Sequence, residues 1–132
     1  MISLSDYFGP WLGHPDATPD RVDNAEFLLE HVNRLLSAYG KPLPINPNTK
    51  TNISGATFGG FRPQSCPQGA PGSSHKDGEG VDVYDPDNAL DDWLTDGILA
   101  AYGLYREAPD ATPGWCHLTR RAPKSGKRTF RP

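Results

Sequence analysis

Apolar residues recur along this chain with two different periods, and the period assigns the elements. Between Ala25 and Tyr39, the residues Phe27, Leu28, Val32, Leu35, Leu36 and Tyr39 fall at helical spacing and form one apolar stripe. Asp23 followed three residues later by Glu26 reads as a capping box, and Gly40 as a natural stop, so a helix is predicted over 25–39. His31 lies beside the stripe and reads as a partly exposed helix histidine. A second helix is predicted over 87–102. There Leu90, Trp93, Leu94, Ile98, Ala101 and Tyr102 face one way, Asp91 and Asp92 suit the first turn, and Gly103 ends the run. Shorter runs predict strands at 81–84, 104–107 and 115–120, the last two joined by a Pro/Gly turn. A glycine-interrupted strand is predicted from Ile53 to Phe61. Residues 41–52 and 63–74 read as loops. Residues 1–22 read as an irregular arm broken at Gly9-Pro10, His14-Pro15 and Thr18-Pro19. The basic tail, 121–132, is expected to strap over the surface. The resulting order predicts an α+β domain, with helices packed on a small, mainly antiparallel sheet.

Composition narrows the reading. A chain of 132 residues fits one domain, 1–132, with one modest core. Its 14 Gly and 14 Pro argue for many ordered turns and against a helical bundle. A net charge of −3 gives no general reason to expect nucleic acid or an acidic membrane as partner. No stretch approaches the roughly 20 apolar residues of a membrane span. Residues 1–10 lack the basic-then-apolar pattern of a signal peptide, so synthesis in a cytoplasm without that export route is expected. Cys66 and Cys116 do not form a zinc-finger pattern. A disulfide between them stays open as an alternative to two reduced thiols.

The chemistry concentrates between Ser73 and Asp82. A histidine, His75, leaves a loop, Gly78 and Gly80 let the backbone turn, and Asp82 lands on the following strand. Alternation puts Val81 and Val83 on one strand face and Asp82 on the other, beside His75. Imidazole nitrogen and carboxylate oxygen are ordinary zinc ligands. The strand at 115–119 supplies a third, His117, which shares a face with Trp115 and Thr119, whereas Cys116 and Leu118 share the opposite face. Cys116 therefore reads as a small core residue sooner than as a ligand. Three protein ligands with one open position is the arrangement of a catalytic zinc site.

At these residues the chain resembles the zinc D-alanyl-D-alanine carboxypeptidase and L-alanyl-D-glutamate peptidase family, whose fold is shared with the hedgehog signalling domain. The family pattern is Ser-x-His-x-x-Gly-x-Ala-x-Asp, followed by a distant histidine on a strand. Ser73, His75, Gly78 and Asp82 match it, with Gly80 in place of alanine. The segment from Gly55 to Pro63 resembles the preceding family strand, with Arg62 at its arginine. The small phage-encoded branch is the nearest in flavour, over about Ile53 to Pro132 and through the ending Ser125-Gly126-x-Arg128-x-Phe130-x-Pro132. The resemblance implies a Zn2+ cofactor on His75, Asp82 and His117, and peptidoglycan stem or cross-bridge peptides as substrate. Action at the bacterial cell wall or within a phage particle, beside virion proteins, follows from it. By the same analogy Arg62 binds a substrate carboxylate, with a structural salt bridge as the alternative. Ser73 holds the substrate or only its own loop, and Trp115 floors the cleft or packs as an ordinary aromatic.

The family also places an acidic general base shortly before the last histidine. Here the residue three before His117 is Gly114, which can move no proton. A paired hairpin would put Glu107 roughly opposite Trp115 and Tyr105 opposite His117, making Glu107 the first candidate for a replacement base. Asp110 in the turn is the second, with Glu79 and Asp77 behind them. A non-catalytic binding or structural module that keeps the fold and the metal is the competing expectation.

Overall fold

Thr18-Pro19, a break in the sequence pattern, is where the longest helix starts. In the computed structural model, which describes residues 1–68 and 73–131, the N-terminal arm is folded. Helix α1 (Leu4–Phe8) is capped by Ser3, whose hydroxyl accepts from the Asp6 N–H, and a 3-10 turn, Gly9–Trp11, follows it. Helix α2 runs Pro19–Tyr39, six residues longer at its start than expected. The Thr18 hydroxyl accepts from the Arg21 N–H, and proline in the first turn lacks only an N–H that would have no helical partner anyway. Asp23 and Glu26 are thus interior helix residues and not a capping box. Gly40 does end the helix, in the left-handed conformation with φ 69°. The buried face is Ala25, Leu28, Leu29, Val32, Leu35 and Leu36. Phe27, expected in that stripe, is exposed, with the Arg120 guanidinium 3.9 Å above its ring.

The sheet has four strands: β1 (Gly80–Tyr84), β2 (Tyr105–Glu107), β3 (Trp115–Thr119) and β4 (Thr129–Phe130), in spatial order β1-β3-β2-β4. β3 pairs antiparallel with both β1 and β2, while β4 lies parallel to β2, so the sheet is mixed. The alternation argument holds: Val81, Val83, Cys116 and Leu118 are fully buried in one apolar cluster with the α2 leucines, Phe61, Tyr7 and Phe8. The tail does more than lie on the surface, because β4 extends the sheet beyond β2. Residues 69–72 of the expected 63–74 loop, and Pro132 of the C-terminal motif, lie outside the described residues.

Two expected elements are corrected. Ile53 to Phe61 is not a strand; it makes one isolated bridge, Ile53 to Val83, and then turns through glycines. Backbone bonds still close the free edge of β1: the Ser54 N–H donates to the Asp82 carbonyl, the Asp82 N–H to Gly59 and the Tyr84 N–H to Asn52. The turn needs glycine, since a Cβ at Gly59 would lie 2.1 Å from the Ser54 carbonyl oxygen, and one at Gly60 2.0 Å from that of Tyr7. The predicted 87–102 helix is two short ones, α3 (Ala89–Trp93) and α4 (Asp96–Ala101). Leu94 is extended between them, and the Thr95 hydroxyl caps α4 by accepting from the Ile98 N–H. The break rotates the second half, so Leu90, Leu94 and Leu99 are buried, Trp93 and Ile98 only partly, and Ala101 is exposed. No described helix is long and apolar enough to cross a membrane.

Candidate metal centre

β1 and β3 are registered so that Asp82 faces His117 directly across the pair. Both project from the sheet face opposite the core. His75 arrives from a 3-10 turn, Ser74–Asp77, that leads into β1. Ser73 caps this turn by accepting from the His75 N–H at 3.3 Å, and Gly78 closes it at φ 75°. The turn is tied down further by the Arg62 N–H, which donates to the His75 carbonyl. Gly80, where the family pattern has alanine, has no room for a Cβ: one would fall 2.3 Å from the Ser74 hydroxyl and 3.2 Å from Cε1 of His117.

The three side chains converge on one point. His117 Nδ1 is 2.8 Å from Asp82 Oδ1, His75 Nε2 is 3.3 Å from the same oxygen, and the two ring nitrogens are 3.2 Å apart. All three residues are buried, and the group could hold a metal ion. Ligand atoms at about 2.0–2.2 Å around a tetrahedral ion sit roughly 3.3–3.6 Å from one another, close to this spacing.

Proton counting supports the fit. His75 Nδ1 lies 2.8 Å from the Gly60 carbonyl, an acceptor, so Nδ1 carries the hydrogen. In the neutral ring Nε2 is then a lone pair aimed at Asp82 and His117. If His117 Nδ1–H donates to Asp82 Oδ1, the Nε2 lone pair still faces a carboxylate oxygen with no hydrogen between them. Acceptors outnumber donors at the convergence point, which a bound cation or an added proton resolves. Burial pushes the Asp82 carboxyl up, but His75 and His117 outweigh it and hold the group well below the usual carboxylate range. Burial pushes His117 down, and the hydrogen bond and charge of Asp82, with a contribution from Glu107, raise it overall.

A cavity of about 430 Å³ opens over the group, lined also by Arg62, Ser73, Glu107, Trp115 and Phe130. Glu107 belongs here, though the expected register is off by two residues. Tyr105 pairs with Thr119 and Arg106 with Leu118, so the next step brings Glu107 beside His117, and Trp115 lies beyond it. Asp110 is elsewhere: it is exposed and ion-paired with Arg131 at 2.8 Å. Asp77 and Glu79 are both drawn to Arg121. Arg62 lines the cavity, but its guanidinium bonds Asp82 Oδ2 at 3.3 Å and the Phe58 carbonyl at 2.7 Å. Cys116 faces the core, where burial pushes its thiol up, and both cysteines are free. Gly114 sits at φ 95° with no carboxylate to offer. Two features escaped the sequence reading. Phe130 stands edge-on to His117 at 6.3 Å, and the Gly60 carbonyl orients His75. The first lay in the quoted C-terminal pattern without a role; the second is a backbone atom and leaves no side-chain signal.

Set against known proteins, the chain matches no family model, no curated protein and no solved structure. The reading of the site therefore rests on its own geometry.

Proposed function

We propose that this chain is a zinc-dependent peptidase of the hedgehog-like, peptidoglycan-cleaving kind, close to the small phage-encoded branch. One observation carries the reading: three buried donor atoms converge beside a carboxylate, Glu107, brought in by the neighbouring strand. His75 Nε2, Asp82 Oδ1 and His117 Nδ1 would hold the ion. Zinc, when bound, supplies Lewis acidity that polarises a scissile carbonyl and activates water. Glu107 takes the proton from the attacking water and returns it to the leaving nitrogen. Arg62 holds Asp82 by its outer oxygen, leaving Oδ1 for the metal. Trp115 and Phe130 wall the groove against the substrate chain. The substrates are peptidoglycan stem or cross-bridge peptides, met at the bacterial cell wall or from within a phage particle among virion proteins.

A second reading, a non-catalytic zinc-containing module of a phage particle, is favoured by Gly114, where the family base would stand. Zinc-loaded protein incubated with muropeptides separates the two. Cleavage that is lost in Glu107→Gln, with zinc content and thermal stability kept, supports the peptidase. Binding of muropeptides without any cleavage supports the module.

A further inference from the structure

Charge is distributed unevenly along this chain. All 16 acidic residues lie at or before Asp110, whereas six of the 13 basic ones follow it: Arg120, Arg121, Lys124, Lys127, Arg128 and Arg131. The net charge of −3 therefore hides a stretch, 111–132, without a single acidic side chain. Five of the six cations lie in the connection from β3 to β4, residues 120–128, which passes the Tyr105 end of β2. Arg121 is paired with Asp77 and Glu79, and Arg131, beyond the loop, with Asp110. The other four meet no carboxylate among the described residues. The Arg120 guanidinium lies 3.9 Å above the Phe27 ring and that of Arg128 4.2 Å above the Tyr105 ring, while Lys124 and Lys127 are exposed.

We propose that the 120–128 loop is a docking surface for a phosphate-bearing anionic polymer of the cell wall, separate from the metal centre. Its place at the wall rests on the peptidase reading above. Arg121, Ala122 and Pro123 of the loop line one side of the cavity over the metal centre, so a polymer held on the exposed lysines keeps that cavity at the wall without occupying it. The loop is a built turn. The Gly126 N–H donates to the Pro123 carbonyl at 2.9 Å, with Gly126 at φ 71°, and the Lys127 N–H donates to the Ser125 hydroxyl at 3.3 Å. The Arg128 guanidinium is fixed by donating to the Leu104 carbonyl at 3.1 Å. Its ends lie on strands two steps apart in the sheet, about 10 Å at the usual strand spacing. The screening length at physiological salt is about 8 Å, so the four cations act on a passing anionic chain together.

What the loop lacks selects the class of polyanion. Residues 120–128 contain no aromatic side chain and no aliphatic one beyond Ala122 and Pro123. Single-stranded nucleic acid is held by stacking its bases on aromatic rings, and a bilayer surface by burying apolar side chains among the acyl chains. The loop offers neither, only charge and N–H donors. Lysine ammonium groups are compact point charges with rotatable donors, suited to phosphates that present themselves in changing orientations. A flexible polyol-phosphate chain, with neither bases nor acyl tails, matches that chemistry.

The test is co-sedimentation of zinc-loaded protein with purified bacterial walls that carry polyol-phosphate polymer, and with the same walls stripped of it by hydrofluoric acid. Binding about tenfold or more tighter to the intact walls, and falling on the order of tenfold between about 50 and about 200 mM salt, is expected. Lys124→Ala combined with Lys127→Ala should weaken it by roughly 10–30-fold, the size expected when two lysines leave an anionic surface, with zinc content and melting temperature kept. Lys124→Arg combined with Lys127→Arg should bind as the unaltered protein does. Equal binding to both kinds of wall, or no loss in the double alanine variant, overturns the proposal. Tighter binding per phosphate to a DNA fragment, or to phosphatidylglycerol vesicles, than to purified polyol-phosphate polymer also overturns it. Muropeptide cleavage is measured in parallel. Polymer binding without any cleavage supports the surface and overturns the peptidase reading; cleavage without polymer binding does the reverse.

Discussion

Two buried clusters of charge lie on opposite faces of the same sheet, and they are built by opposite rules. On the core side, Asp85 and Asp91 are buried between β1 and α3. Asp85 accepts from the Leu90 and Asp91 N–H groups with its two oxygens, at 3.0 and 3.1 Å, so it caps α3 from outside the helix. Asp91 is met by Arg106 at 3.2 Å and by Asn88 at 3.2 Å. Each acceptor faces a donor. On the groove side, Asp82 Oδ1, His75 Nε2 and His117 Nδ1 face one another. The two carboxyls also titrate in opposite directions, Asp82 being lowered by the hydrogen bonds and positive charge its two histidines can supply. Burial pushes Asp91 up, and the Cys116 thiol, Asn88 and Arg106 offset this only in part. Burial also pushes Asp82 up, but two histidines pull it far down. A satisfied polar cluster is a structural device; one whose lone pairs converge lacks a positive charge at its centre.

The sharpest way to break this contrast is to exchange the damage. His75→Ala, Asp82→Ala or His117→Ala should each abolish stoichiometric zinc binding, measured by metal analysis after dialysis. Asp91→Ala should keep one zinc per chain yet lose about 3 kcal/mol in denaturant unfolding, because Arg106 is left buried without its carboxylate partner. Zinc retained in all three ligand variants, or lost in Asp91→Ala, would erase the distinction.

A smaller effect sharpens it. Arg62 is the only described donor from another side chain, apart from the two histidines, that bonds Asp82. Arg62→Ala should weaken zinc affinity by about 10–100-fold, the usual size for removing a group that orients a ligand. Competition against a fluorescent chelator measures it. Arg62→Lys should recover part of the loss, since an ammonium can still meet the outer oxygen. Unchanged affinity in Arg62→Ala would mean that the sheet alone aims Asp82.

How much of this was legible follows the same division. Strand alternation is a two-residue rule carried by the sequence itself, so Val81/Val83 against Asp82, and Cys116/Leu118 against His117, were readable before any fold. Helix boundaries at proline were not, because Thr18-Pro19 has the same letters whether it ends a segment or starts one. The Leu94–Thr95 break was hidden because a capped restart keeps the apolar residues near helical spacing. Glu107 was readable as a candidate, but not its register, since the length of the 109–111 turn decides which residue meets His117. The irregular edge made by Gly59 and Gly60 was beyond reach, because its bonds are all backbone.

The smallest predicted effect, pH, tests whether the converging lone pairs exchange a proton for a metal. His117 has a raised folded pKa, so in the metal-free protein its interaction with Asp82 stabilises fully below the unfolded histidine value of about 6.5. That contribution is lost as pH rises through the folded value. Asp82 is depressed, so its contribution is present above the unfolded value of about 3.9 and fades only as pH falls toward its folded one. Across neutral pH, then, Asp82 stays ionised, while the raised value of His117 sets its proton in competition with a metal. Zinc needs the Nδ1 lone pair of His117, so each pH unit below the raised His117 value should weaken zinc by up to about tenfold for the one proton displaced. The zinc-loaded and chelator-treated proteins should therefore melt at temperatures that draw together as pH falls from about 8.5 to 5.5, and draw apart as it rises. Asp91→Ala, whose site lies on the other face, should show the same convergence from a lower starting temperature. A melting gap that is constant with pH would mean that no proton leaves when the metal arrives, and the two clusters would then differ in position but not in kind.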